Sequence, residues 1–252
     1  MEVPRSRKAK WLRFAGSAGI LAPVFGFTLI GLAIVSFPEF SWTDNALSDL
    51  GVVPGTTSSL FNVGLLLSGL VTFNFAVGLF TFLGDRVLGK IGSVLFVLAS
   101  LSLIGIGVFT EDARPFHFVF SVAFFTLMPI ALLVIAGYYA FSHQKLMAVF
   151  TLSVAVVAAS PWVLLSLVRY VPGVAIPELV SALAGAAWTI TVGYKMFKGR
   201  VTHGKLDFEQ LVKKRFSQFT SKSFERQLAM ACKPASSNKE KKKLRNPVFP
   251  HI

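Results

Sequence analysis

SWTDNALSDLGV, Ser41 to Val52, is a polar segment held between two apolar runs, Phe14 to Phe37 before it and Ser58 to Leu83 after it. A second polar segment, TEDARPFH, Thr110 to His117, sits the same way between Ile91 to Phe109 and a run that continues to Phe141. What flanks these segments decides the fold. Runs of about 20 residues without a charge reach, at ~1.5 Å per residue, across the ~30 Å hydrocarbon core of a bilayer. They do not alternate apolar with polar, which excludes a transmembrane barrel.

The same reading extends along the chain. Spans are predicted at Phe14 to Phe37, Ser58 to Leu83, about Ile91 to Phe109, His117 to Phe141, Met147 to Val168 and Glu178 to Phe197. The fold class is all-α, a polytopic membrane protein with a six-transmembrane-helix bundle. Composition agrees: 54% of residues are hydrophobic and 15% charged, against about a quarter charged in soluble domains. Three regions follow, a basic cytoplasmic start over residues 1–13, the helical domain over 14–197 and a basic tail over 198–252. The first run is too long for a signal peptide, and no small-residue cleavage site follows it, so it reads as a retained helix. Pro129 and Pro161 fall inside spans, where they are expected to kink the helices. Ser181, Gly185 and Thr189 recur at four-residue spacing, a pattern that permits close helix packing.

Charge sets the orientation. With six spans, 23 of the 25 Lys and Arg residues share one side with both termini, and only Arg114 and Arg169 lie opposite. Cytoplasmic loops retain Lys and Arg, so both termini are predicted cytoplasmic in a multi-pass protein of the cell membrane, and the two polar segments face outward. The tail has 14 Lys and Arg against four acidic residues. Within it Phe208, Leu211, Val212, Phe216 and Phe219 have helical spacing, predicting an amphipathic interfacial helix, and residues 233–252 read as disordered. Its expected partners are the anionic inner leaflet, an acidic protein of a larger complex, or ribosomal RNA through non-specific phosphate contacts. Nothing in it reads bases, so specific nucleic-acid binding is not predicted. Cys232 is the one cysteine, which rules out an intrachain disulfide.

Chemistry concentrates in the outward segments. No Asp, Glu, Lys, Arg or His lies in the middle of a span, which disfavours an ion-coupled transporter. Asp44, Asn45, Ser48, Asp49, Asn62, Asp112, Arg114 and His117 form the candidate binding site if the segments converge. His117 is the one outward histidine, and Asp112, five residues earlier, is placed to orient it as a general base, with Ser48 as a nucleophile or Asp49 as an acid. The plainer alternative makes Asp44 and Ser48 helix caps and pairs Asp112 with Arg114. One histidine is a poor zinc set. Oxygen ligands from Asp44, Asp49, Glu111 and Asp112 suit calcium or magnesium better, and no cofactor or metal is assigned.

The segment TDNALSDLG after the first span, Asn62 early in the second, and TEDARPFH leading into the fourth resemble the prokaryotic six-span family catalogued as domain of unknown function 998. Asn45, Ser48, Asp49 and Gly51, with His117, carry that resemblance over about Phe14 to Phe197, and it implies a fold but no activity. More distantly, the layout is similar to eukaryotic membrane proteins that include a factor for remodelling lipid anchors. It also resembles seven-span hydrolases related to alkaline ceramidase, which use a serine, an aspartate and three histidines around zinc. Here His143, His203 and His251 fall on the opposite side from His117. The leading expectation is an outward polar site for a lipid headgroup or a polar partner segment. The rivals are an accessory subunit docking through its basic tail, and a lipid-modifying hydrolase or transferase.

Overall fold

A computed structural model of the protein describes residues 5–199; the amphipathic and disordered stretches expected in the tail lie outside the described residues. Within them the chain forms α1 (Arg5–Val35), α2 (Thr56–Leu83), α3 (Val87–Val108), α4 (Phe116–Phe141), α5 (Lys145–Val168) and α6 (Ala175–Phe197). A single short 3-10 segment, Leu47–Gly51, lies between α1 and α2, and no strand occurs among the described residues. All six helices are long and apolar enough to cross a membrane, and large side chains such as Leu32, Val63, Leu98, Val119, Val156 and Leu183 are exposed on them. In water such a surface would aggregate, whereas in lipid it is the solvated surface.

The predicted spans recur within a few residues, with one difference. Residues 5–13 were expected to form a separate basic start, but α1 already begins at Arg5. The stretch is mostly Arg, Lys, Ala, Trp and Leu, with one serine, Ser6, and no Gly or Pro after Pro4, and such residues favour continuing a helix past the hydrocarbon edge. Gly84, with φ of 74°, ends α2 where a residue with a side chain would be strained.

Each helix packs on its chain neighbours, and α6 returns to pack on α1, closing a ring. That seam depends on glycine: a Cβ on Gly16 would lie 2.5 Å from the Gly193 carbonyl oxygen, and one on Gly193 would lie 2.7 Å from that of Gly16. The stripe predicted for close packing plays a different part. Ser181 bonds across to α5, its hydroxyl donating to the Ala158 carbonyl (2.7 Å) and accepting from Trp162 Nε1 (3.0 Å). Gly185 and Thr189, however, border an internal cavity. Pro129 and Pro161 are accommodated inside α4 and α5, as is Pro23 in α1. Beside Pro161, the Ser160 hydroxyl donates at 3.2 Å to the Val157 carbonyl, the group that a proline four residues on leaves without its helical N–H.

Along the bundle the interior changes character. In the half bearing the α1 N-terminus and the α6 C-terminus, Leu12, Leu79, Phe82, Leu132, Tyr139, Val192 and Met196 are fully buried against one another. Above them Phe75, Phe96 and Trp188 form an aromatic layer with ring centroids 5.1–5.9 Å apart. Trp188 is fixed by its Nε1–H donating to the Thr151 hydroxyl at 3.1 Å. The other half, beneath the long loops, encloses free space.

Candidate functional site

Three connections meet at the loop-bearing end: residues 36–55, 109–115 and 169–174. Backbone bonds join the first and third, with Gly173 N–H donating to Thr43 O (2.7 Å) and Val174 and Ala175 N–H donating to Asn45 O (3.1 and 2.9 Å). Gly173 allows this approach, since a Cβ there would lie 2.6 Å from the Asp44 carbonyl carbon. Below, Asn62 Nδ2 donates to the Gly51 carbonyl at 2.9 Å, anchoring the 3-10 segment on α2. Inside the segment, Asp49 Oδ2 accepts from Asn45 Nδ2 (2.8 Å) and from the Ala46 N–H (2.9 Å). On its far side, the Leu47 N–H donates to Glu178 Oε2 of α6 at 2.6 Å. The segment is thus tied to α2, α6 and the α5–α6 loop, and its Leu47, Ser48, Leu50 and Gly51 are buried.

The α3–α4 loop then delivers Glu111 against Asp49 and Ser48, with His117 close by. Burial first, and then the neighbouring Asp49, push the Glu111 carboxyl above the usual glutamate range, opposed by the Ser48 hydroxyl and His117. Glu111 Oε1 lies 3.6 Å from Arg114 Nη2, while Oε2 is buried with no hydrogen-bond partner among the described residues. His117 is buried, and its Nδ1 lies 2.7 Å from the Phe109 carbonyl oxygen. A carbonyl only accepts, so Nδ1 carries the proton, and in the neutral ring Nε2 is left as an acceptor.

This corrects the expectation that Asp112 orients His117. Asp112 is exposed and accepts from the Thr110 hydroxyl two residues back, within a turn closed by Ala113 N–H to Thr110 O at 2.8 Å. Nor does Asp112 pair with Arg114, whose ion-pair partner is Glu111. Asp44 is likewise exposed, bonded by the hydroxyls of Ser41 (2.5 Å) and Thr43 (2.7 Å), which hold its carboxyl below the usual aspartate range. The oxygen set Asp44, Asp49, Glu111 and Asp112 is therefore not assembled. Among the described residues no group of three or more His, Cys, Asp and Glu has metal-holding geometry.

Of the eight predicted residues, Ser48, Asp49, Arg114 and His117 converge, Asn45 positions Asp49, and Asn62 positions the segment. Glu111, placed in the right loop but left out of the predicted set, is the residue the others surround. Glu178 was read as the start of the sixth span. It is buried inside α6 and reaches the same site, and its signal was a lone acidic residue in the first turn of an apolar run on the loop side.

Two spaces adjoin this cluster. One, of about 630 Å³, is lined by Ser48, Glu111, Arg114, His117 and Glu178 and extends past Phe118, Val122 and Trp162. Phe118 and Val122 are exposed on the lipid-facing surface of α4, so this groove runs from the polar cluster to the side of the bundle. The other is a chamber inside the helix ring, mostly apolar and bordered by α1, α2, α3, α4, α6 and the 3-10 segment. Ser48, Ser121, Phe125 and Glu178 line both.

A family model described as "Protein of unknown function (DUF998)" matches residues 20–195, covering most of the helical ring and all the residues of the cluster. No curated protein and no solved structure is significantly similar to the chain, so the more distant likenesses to lipid-anchor remodelling proteins and ceramidase-like hydrolases gain no support.

Proposed function

The chain belongs to this family, and we propose that it is a multi-pass membrane protein that binds a membrane lipid by its headgroup, at the cluster formed by Ser48, Asp49, Glu111, Arg114, His117 and Glu178. One observation carries the reading: the groove lined by Ser48, Glu111, Arg114, His117 and Glu178 also reaches lipid-facing Phe118 and Val122. A ligand entering there needs a polar end and an apolar body. Three carboxyl groups beside one guanidinium and one imidazole suit a headgroup with an amine or hydroxyls next to a phosphate, the amine meeting carboxylates and the phosphate meeting Arg114. The charge asymmetry of the chain, 23 basic residues against two, supports a site on the non-cytoplasmic face with the tail on the anionic inner leaflet.

The test is saturable binding of phosphatidylethanolamine against phosphatidylglycerol in vesicles. One charge-assisted hydrogen bond is worth ~1.5–3 kcal/mol, so Glu111→Gln is expected to weaken binding at least about tenfold, while Asp112→Asn leaves it unchanged. Equal affinity in Glu111→Gln, His117→Ala and the unmutated chain would refute the reading. A hydrolytic extension draws on the His117 tautomer, which leaves Nε2 as an acceptor in a groove that Ser48 also lines. It requires turnover of labelled lipid that disappears in Ser48→Ala.

A further inference from the structure

Resting on the headgroup reading, we infer that the hollow half of the bundle takes up one acyl chain of the same lipid, drawn from the leaflet on the polar-loop side. The chamber has a free volume of about 140 Å³. Along α6 its lining runs from Glu178 to Thr189, a rise of ~16 Å at ~1.5 Å per residue. That depth equals one leaflet, half of the ~30 Å hydrocarbon core. The chamber is therefore a slot along α6, as deep as one leaflet.

The walls suit methylene groups. Three of the hydroxyls that border the slot are satisfied by backbone carbonyls, Ser68 by Ala22 (2.9 Å), Ser100 by Val97 (2.7 Å) and Thr189 by Ala186 (3.1 Å). A mostly apolar space of this kind accepts apolar guests. Left empty, it would forfeit the contacts that hold a membrane bundle together, because helix association in lipid gains from packing rather than from the hydrophobic effect. Phe96, backed by Phe75 and Trp188, lines the slot at its deep end and limits how long a chain can enter. Ser48, Ser121, Phe125 and Glu178 border both the slot and the groove. Headgroup and chain of one molecule can therefore be held together across them.

The experiment uses the full chain in phosphatidylcholine vesicles doped with phosphatidylethanolamine bearing a diazirine at the terminal carbon of one acyl chain. After irradiation, adducts are mapped by mass spectrometry. The expected adducts fall on slot residues such as Phe96, Ala99, Met128 and Thr189. Ala186→Phe, which fills the slot, is expected to lower them about tenfold while headgroup binding stays saturable. Adducts confined to lipid-facing residues such as Leu98 and Val119, with saturable headgroup binding intact, would overturn the inference and leave the headgroup reading standing. Loss of saturable binding in the unmutated chain would overturn both. The adduct positions in the unmutated chain decide the question even where a filled variant fails to fold.

Discussion

The two halves of the helix ring are made from the same six helices and differ in what fills them. One is solid, with Phe82, Leu132, Ile135, Tyr139, Val192 and Met196 interlocked. The other, under the loops, has small side chains, Gly26, Ala99, Ala182, Gly185 and Ala186, between the Phe, Leu and Ile that line open space. The difference separates where the helices fill the space between them from where they leave it open. A solid half supplies stability by contact, so a hollow half can be kept above it, with the acidic cluster at its mouth.

Mutations break that contrast in graded fashion. The largest effect belongs to Trp188→Ala, which removes the ring packed against Phe96 and the bond to Thr151 and is expected to cost ~3–5 kcal/mol in reversible unfolding. Next, Glu178→Ala leaves the buried Leu47 N–H without a partner, a loss of ~1–3 kcal/mol, and should loosen the 3-10 segment in hydrogen exchange. Filling substitutions then separate the halves by sign. Ala131→Leu in the solid half overpacks and costs ~1–3 kcal/mol, whereas Ala186→Leu in the hollow half gains up to ~1–2 kcal/mol in lipid-free detergent. Equal costs at both positions would erase the distinction. Asn62→Ala should cost about 1 kcal/mol, by releasing Gly51.

The smallest effect is a pH dependence at the loop end. Burial and Asp49 raise the carboxyl of Glu111 in the folded state. The folded protein therefore holds that proton more tightly than the unfolded chain. The contribution is fully present below the ordinary glutamate value and is lost as pH rises through the raised one. Glu111→Gln should flatten that part of the stability profile, as read by thermal unfolding across the acidic range.

Much of this was legible before any coordinates. Unbroken apolar runs give six spans because length and polarity alone decide crossing, and the two polar segments had to share an end once the number of spans between them was even. Ser48, Asp49 and His117 followed from that placement. Asp44 and Asp112 did not join them because hydroxyls within three residues, on Ser41, Thr43 and Thr110, satisfy their carboxyls locally. Sequence spacing weighs such short-range competition poorly against distant contacts. Glu178 was hidden because it sits inside a helix by pattern and in the site by tertiary packing. The slot was the least legible feature, since it is the sum of side-chain volumes missing from five helices, no one of which is unusual alone.

Native mass spectrometry of the protein released from its membrane addresses the hollow half most directly. The expected result is one tightly held lipid per chain that survives mild delipidation and is held less tightly in Ala186→Phe and in Glu111→Gln. A chain that flies only at its own polypeptide mass, equally stable with the slot open or filled, would contradict it.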